Sequence, residues 1–236
     1  MKRQMKSQQS GFTLVEIAIV LVIIGLLLGG ILKGQELINS AKVKNLANDF
    51  RVIPTYIYAY QDKFKSLPGD DSNVVVHVTG ATLATTPAAS QGNGVINGNW
   101  NSAANTDESR LFWQHVRLAN LAAGPTDPTD ATYRPTNALG GNIGVSSNSA
   151  ATAQITGMTG TYQICSKGVL GKFAIQLDVQ MDDGQPCTGS LRAIPDVGTA
   201  VANGGVASFA GAAAPASCPG AAVIDPDTPY TVCMTF

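Results

Sequence analysis

The chain has 236 residues, and its 15 basic residues nearly balance its 16 acidic ones. Only 13% of the residues are charged and 44% are hydrophobic, whereas about 25% of the residues in a typical soluble domain are charged. The net charge of −1 excludes nucleic-acid binding by bulk electrostatics, so we expect no nucleic-acid partner. The hydrophobic content excludes a disordered acidic tail.

The charges are distributed unevenly along the chain. Residues 1–11 carry three basic side chains and no acid, and residues 12–32 carry one charge, Glu16. The net charge is +3 over residues 33–65 and −6 over residues 66–236. This pattern predicts a basic leader (1–11), an apolar segment (12–32), an amphipathic continuation (33–66) and a globular head (67–236).

The segment Phe12–Leu32 is long enough to cross a bilayer as a helix. The basic residues before it predict an N-terminus in the cytoplasm. An ordinary secretory signal or signal anchor is the alternative, but a secretory signal has a small-residue cleavage site after its apolar run. The residues beyond Leu32 do not form such a site. The junction with small residues lies instead before the run, at Ser10-Gly11-Phe12.

Glu16 is the one charged residue within this apolar segment. A carboxylate in a membrane helix is unfavourable and is a functional candidate by default, although it can also snorkel to the interface. The sequence contains no basic residue between Lys6 and Lys33. A positive partner would therefore come from elsewhere, and the α-amino group of a neighbouring processed chain is suitable.

The run Gly11-Phe12-Thr13-Leu14-Val15-Glu16, between a basic leader and an apolar stretch, resembles the signature of type IV prepilins and type II secretion pseudopilins. The resemblance covers about the first 35 residues. It implies that a membrane-embedded prepilin peptidase cuts between Gly11 and Phe12 and methylates the new N-terminal Phe12. It also implies that Glu16 neutralises the Phe12 amine of an adjacent subunit, and that the helix unwinds locally at Gly25 in the filament.

The same resemblance implies a fold and a function. The fold class is α+β and pilin-like, with a long, kinked N-terminal helix packed on a loop-rich head that has a small antiparallel sheet and disulfides. The expected function is that of a precursor held in the bacterial inner membrane with a periplasmic head. Assembly machinery of that membrane would then polymerise it, with copies of itself or other pilins, into a pilus or a periplasmic filament. A secretion pseudopilin and an uncleaved, signal-anchored binding ectodomain are the alternatives.

After Leu32, apolar residues recur at the spacings of an amphipathic helix, at Leu37, Ile38, Ala41, Leu46, Phe50, Ile53 and Ile57. This pattern predicts that the helix continues to about Lys65 and ends before Leu67-Pro68-Gly69. Pro54 should kink it. In the head, Val74–Val78 suits a strand, and Thr106-Asp107-Glu108 should cap a helix that runs to Ala122. Thr161–Ser166 suits a strand. The segment Leu170–Asp183 fits either a strand or a helix, and the ending Asp182-Asp183-Gly184 favours the helix.

The sequence supports no catalytic site and no cofactor. The two histidines, His77 and His115, lack the spacing of zinc ligands. Asp178, Asp182 and Asp183 are weak calcium candidates, because an EF-hand loop would need glycine where Asp183 stands. Asp70, Asp71 and Asn73 are weak candidates of the same kind. Turn formation is the simpler interpretation of both clusters.

Four cysteines, Cys165, Cys187, Cys218 and Cys233, lie in the head. Their even number in a compartment outside the cytoplasm predicts two disulfides, for which three pairings exist. Pairs that are near in sequence make the least demand on topology. We therefore expect Cys165–Cys187 and Cys218–Cys233.

Overall fold

The computed structural model describes residues 14–149, 154–155, 157–186, 188–196 and 224–236. The chain divides into two compact units, residues 1–41 and residues 42–236. Four helices and four strands are assigned in the described residues. The predicted α+β class, with a long N-terminal helix and a small antiparallel sheet, is confirmed.

The first helix, α1, spans Leu14–Phe64 and is not interrupted at Pro54. Its buried residues all lie in the second half and recur every three or four positions, as expected for one helical face. They are Val43, Leu46, Ala47, Phe50, Ile53, Ile57 and Tyr60. The predicted apolar periodicity is therefore confirmed from Leu46 onward, whereas Leu37 and Ile38 are exposed.

The end of α1 lies where the Pro-Gly turn predicts it. Lys65 adopts a left-handed conformation with φ 56°, which stops the helix. Gly69 then has φ 92°, and a Cβ atom there would lie 2.4 Å from the carbonyl oxygen of Glu108. Only glycine lets this turn approach the start of the third helix so closely.

Two short elements differ from the sequence-based prediction. Val74–His77 forms a helical turn, α2, and not a strand. Val74 and Val78 are buried one turn apart while Val75 and Val76 face outward, a pattern that a strand would not produce. The next helix, α3, spans Glu108–Leu118 and ends before the predicted Ala122.

The strands are β1 (Ile143–Ser147), β2 (Tyr162–Leu170), β3 (Leu191–Pro195) and β4 (Pro229–Thr235), and helix α4 (Gly171–Met181) follows β2. The four strands form one antiparallel sheet of order β1-β2-β4-β3. The helical interpretation of Leu170–Asp183 is thus confirmed. The strand predicted at Thr161–Ser166 is present and extends to Leu170.

One apolar core joins the second half of α1 to the other elements of residues 42–236. Its fully buried members come from α1, α3, all four strands and α4. They include Leu46, Phe50, Ile57, Phe112, Val116, Val145, Ile164, Val169, Leu177, Leu191 and Val232. Burial of side chains of this size contributes about 1.5–3 kcal/mol each, so this shared core fixes α1 from Val43 onward against the sheet.

The disulfide in the described residues corrects both predicted pairings. Cys165 on β2 is bonded to Cys233 on β4, and the two residues are direct partners in the antiparallel register. Neither Cys165–Cys187 nor Cys218–Cys233 can form together with this bond. Sequence proximity misled the prediction, because sheet register brings together cysteines that are 68 positions apart. Cys187 and Cys218 lie outside the described residues.

Candidate functional site

The first half of α1 exposes an apolar surface on all sides. No residue of its most apolar 18-residue window is buried, and the mean hydropathy of that window is 2.8. Among the described residues, α1 is the one helix long and apolar enough to cross a membrane. Its exposed large side chains are Leu14, Val15, Ile17, Ile19, Val20, Leu21, Val22, Ile23, Ile24, Leu26, Leu27, Leu28, Ile31 and Leu32. We call residues 14–32 the apolar segment.

A helix that is apolar around its whole circumference is stable in lipid or in the core of a larger protein. The core helix of a soluble protein would be buried by its own chain, and the apolar segment is not. Among the described residues nothing buries the apolar segment, and such a surface is typical of a helix that contacts lipid or other protein chains, since both remove it from water.

Glu16 lies near the beginning of α1 and is the only charged residue of the apolar segment. The proposed processing residues Gly11 and Phe12 lie outside the described residues. Gly25, Gly29 and Gly30 are helical in this structure. The local unwinding at Gly25 concerns the assembled filament and stays a prediction.

The first charged residues after the apolar segment are Lys33 and Glu36, which form an exposed ion pair of 2.6 Å. Leu37 and Ile38 follow and are each about 60% exposed. Burial by the chain itself begins only at Val43. The surface that needs an external partner therefore extends a turn beyond the apolar segment, which the amphipathic pattern alone did not indicate.

Three buried carboxylates organise the loops beside the end of α1. Asp70 accepts hydrogen bonds of 2.6–3.2 Å from the backbone amides of Gly92, Asn93 and Gly94. Glu108 accepts from the Ser90 hydroxyl and from Asn97. Burial raises the pKa values of Asp70 and Glu108, and these donors act in the opposite direction.

Asp71, the third buried carboxylate, links α1 to the turn that follows it. Its Oδ2 accepts the Tyr60 hydroxyl at 2.8 Å and lies 2.7 Å from Nδ1 of His77. Its Oδ1 accepts the amide of Asn73 at 2.9 Å. The turn interpretation of the Asp70-Asp71 pair is adequate here, because the surrounding amides and hydroxyls occupy their oxygens. The sequence analysis did not predict that Asp70 and Asp71 are buried. The adjoining Pro68-Gly69 turn was the local feature that could have suggested it.

His115 is also part of this buried polar region. Its Nδ1 accepts the amide of Gly69 at 2.9 Å, so the proton of the neutral ring is on Nε2, which donates to the carbonyl of Thr82 at 2.9 Å. Burial lowers the pKa of His115 to about 4. Both ring nitrogens of His115 therefore already have partners within the protein.

A small cavity lies between α1 and α3, lined by Asp49, Tyr56, Trp113 and Arg117 among others. Burial raises the pKa of Asp49 to about 6 and lowers the pKa of Arg117. The cavity volume is about 170 Å³, below the roughly 300–1,000 Å³ of typical small-molecule sites. We therefore assign it no ligand.

Asp178, Asp182 and Asp183 come together at the end of α4. One carboxylate oxygen from each lies within 4.8 Å of the others, so the structure assembles the three weak calcium candidates into one cluster. Asp178 is fully buried, and burial together with the two neighbouring acids raises its pKa to about 6. Asp183 is exposed, and hydrogen bonds from Thr188 and Gln185 lower its pKa.

Comparison with known proteins bears on the N-terminus. The family model of the prokaryotic N-terminal methylation motif matches residues 6–32. This motif is the signature of type IV prepilins and pseudopilins, which are structural subunits, and the chain carries it immediately before and within the apolar segment. No curated protein and no solved structure matches the chain.

Proposed function

We propose that this chain is the precursor of a subunit of a type IV pilus-like filament. The observation that carries the proposal is the coincidence of the methylation motif at residues 6–32 with the apolar segment, which is exposed on all sides in the described structure. The motif supplies the processing signal, and the exposed surface supplies the contact through which processed subunits assemble.

The proposed maturation begins at the Gly11–Phe12 bond. A prepilin peptidase cleaves this bond and methylates the amine of Phe12. The precursor is anchored in the inner membrane by the apolar segment, with residues 1–11 in the cytoplasm and the head in the periplasm. Removal of the basic leader deletes its three positive charges, which otherwise hold the N-terminus on the cytoplasmic side.

Assembly then exchanges one apolar environment for another. The apolar segment leaves lipid and packs against the same segment of other subunits, so its surface stays out of water in both states. Inner-membrane assembly machinery performs this transfer. A helical fibre forms when neighbouring subunits meet through two different surfaces and the repeated contact does not close into a ring. The contact between subunits is therefore of this heterologous, open kind.

Glu16 sets the axial register in this proposal. A carboxylate among the aliphatic side chains of a filament core is strongly unfavourable without a positive partner. The amine of Phe12 on an adjacent subunit provides that partner. Subunits shifted along the axis would separate the two charges, so the pair selects one offset.

Processing is tested by expressing the full chain in bacteria with and without a prepilin peptidase and measuring the intact mass and the N-terminal residue. We expect an N-terminal methylated Phe12 only when the peptidase is present. Gly11→Val should leave the precursor uncut. Gly34→Val is the matched control, since Gly34 lies in α1 with open space around it and should be processed normally.

The result also separates the alternatives. A chain that retains Met1 in the presence of an active peptidase would contradict the proposal and support a signal-anchored ectodomain. A methylated chain found in sheared surface filaments supports a pilus subunit. A methylated chain confined to the periplasm would overturn the pilus assignment in favour of a secretion pseudopilin.

A further inference from the structure

Asp178, on the last turn of α4, has an unusual environment for a carboxylate. Its side chain is fully buried, and neither of its oxygens has a hydrogen-bond partner among the described residues. The amides of Gly184 and Gln185 lie near enough to favour its ionised form, but neither completes a hydrogen bond. Buried polar groups nearly always have partners, so two vacant oxygens indicate a missing one.

The vacant oxygens face two more carboxylates. Asp182 and Asp183 each place an oxygen within 4.8 Å of a carboxylate oxygen of Asp178 and of each other. Among the described residues, no lysine or arginine forms an ion pair with any of the three. The cluster also lies at the carboxyl end of α4, where the helix dipole disfavours negative charge. Each of these effects is relieved by a bound cation.

The loop after α4 holds two of the carboxylates in fixed positions. Asp182 Oδ2 accepts the amide of Leu191 at 2.8 Å, and Asp183 accepts the amide of Gln185 and the hydroxyl of Thr188. Gly189 packs directly on Asp182, because a Cβ atom there would lie 2.0 Å from Oδ2. The donors occupy one direction at each oxygen and leave other lone pairs for a ligand.

We propose that Asp178, Asp182 and Asp183 form a binding site for a divalent cation of the size of calcium. Hard cations prefer carboxylate oxygens, and calcium accepts irregular shells completed by water at about 2.3–2.6 Å. Two oxygens on opposite sides of such an ion would be about 4.6–5.2 Å apart by the same distances. The three oxygens lie within 4.8 Å of one another, so one such ion can reach all of them. Magnesium, at about 2.0–2.1 Å, demands near-ideal octahedral geometry, whereas calcium accepts the irregular arrangement that a helix end and a loop supply.

The site does not depend on the proposed filament function, because its ligands all belong to α4 and the loop that leads to β3. Its expected effect is on the stability of the head. A cation that binds the folded chain raises the temperature of unfolding, and the stabilisation grows with the logarithm of the cation concentration once this exceeds the Kd. It would also tie the end of α4 to the start of β3.

The test uses the full chain in detergent, stripped of metal with EDTA and titrated with calcium chloride by calorimetry. Thermal unfolding is followed in parallel by tryptophan fluorescence, since Trp100 and Trp113 are both buried in the head. We expect saturable binding and a rise in unfolding temperature. Asp178→Asn and Asp183→Asn should each weaken binding at least tenfold. Asp227→Asn, at an exposed carboxylate that pairs with Lys172, is the matched control and should bind like the wild type.

The metal-free proteins give a further readout. Asp178→Asn should unfold at the same temperature as metal-free wild type or higher, because it removes a buried charge without a described partner, and a given calcium concentration should raise its unfolding temperature less than that of the wild type. If Asp178→Asn fails to fold, the exposed Asp183→Asn gives the same test without disturbing the core. Absence of binding by the wild type at millimolar calcium, or equal binding by Asp183→Asn, would overturn the site. Equal affinity for magnesium would overturn its assignment to calcium.

Discussion

The hydroxyl of Tyr60 donates a 2.8 Å hydrogen bond to Oδ2 of Asp71, and both side chains are buried. Burial, followed by this bond and the charge of Asp71, raises the pKa of Tyr60. Tyr60 is on the last turns of α1, and Asp71 also holds His77 and the amide of Asn73. One carboxylate therefore connects the end of α1 to the turn that begins the rest of the head.

Replacing Tyr60 with phenylalanine removes the hydroxyl and leaves the ring. We expect Tyr60→Phe to lower the free energy of unfolding by about 1–3 kcal/mol, as for other hydrogen bonds to charged groups. The measurement is urea unfolding of the full chain in detergent, followed by tryptophan fluorescence. Tyr58→Phe is the matched control, because Tyr58 is 57% exposed and its hydroxyl should contribute less than about 0.5 kcal/mol. Equal effects of the two changes would contradict a structural role for the Tyr60–Asp71 bond.

His115 should make stability fall on acidification. Its pKa is lowered to about 4 in the folded protein from an ordinary value of 6.5, so between these values the unfolded chain binds the proton more readily. The contribution is complete above pH 6.5 and is lost as the pH falls towards 4. At pH 5 the loss is about 2 kcal/mol by linkage.

The contribution of His115 is isolated by comparing the wild type with His115→Gln at pH 7.5 and pH 5. The wild type should lose about 2 kcal/mol more than the variant over this interval. Asp49 and Asp178, with pKa values raised to about 6, act in the opposite direction, but they titrate in both proteins and cancel in the difference. Parallel pH profiles of the two proteins would refute the prediction.

The disulfide Cys165–Cys233 should be found directly by proteolysis without reduction and mass spectrometry of the linked peptides. The bond closes 68 positions of chain, for which the loop-entropy model gives a stabilisation of about 4 kcal/mol. The double change of Cys165 and Cys233 to alanine should lower the free energy of unfolding by an amount of this order. Peptides that link Cys165 to Cys187 would contradict the strand register described here.

Glu16→Ala should be processed normally and fail to assemble. The cleavage site is unchanged, but the carboxylate proposed to pair with the amine of Phe12 is lost. Processing is checked by N-terminal analysis, and assembly by electron microscopy of sheared surface fractions. Asp62→Ala removes a carboxylate from the far end of the same helix, where its ion pair with Lys65 is exposed, and should assemble. Abundant filaments from Glu16→Ala would remove its proposed role.

Local patterns were sufficient to predict three of the four helices in the described residues, α1, α3 and α4. The apolar run after Gly11 indicates a membrane-spanning helix, and the spacing of Leu46, Phe50, Ile53 and Ile57 identifies the face that α1 buries. Each signal depends on neighbours within one or two turns, and a 3.6-residue period determines which residues share a face. The same reasoning chose a helix for Leu170–Asp183, as the structure confirms.

Local patterns failed where distant parts of the chain meet. Val74–His77 contains β-branched residues that favour strands, but Val74 and Val78 both enter an apolar cluster with Tyr60, and a helical turn is what places them on one side. The pairing of Cys165 with Cys233 depends on the register of β2 against β4, which no spacing of cysteines encodes.

The N-terminal signature and the bounds of the apolar segment were determined by the sequence alone, because charge and hydropathy are properties of consecutive residues. Only the tertiary structure decided which carboxylates are satisfied. It surrounds Asp70 and Asp71 with donors, whereas no described residue donates to either oxygen of Asp178. The physical reason is that a carboxylate finds its partners on loops and helices that are distant in sequence, so its environment exists only after the chain has folded.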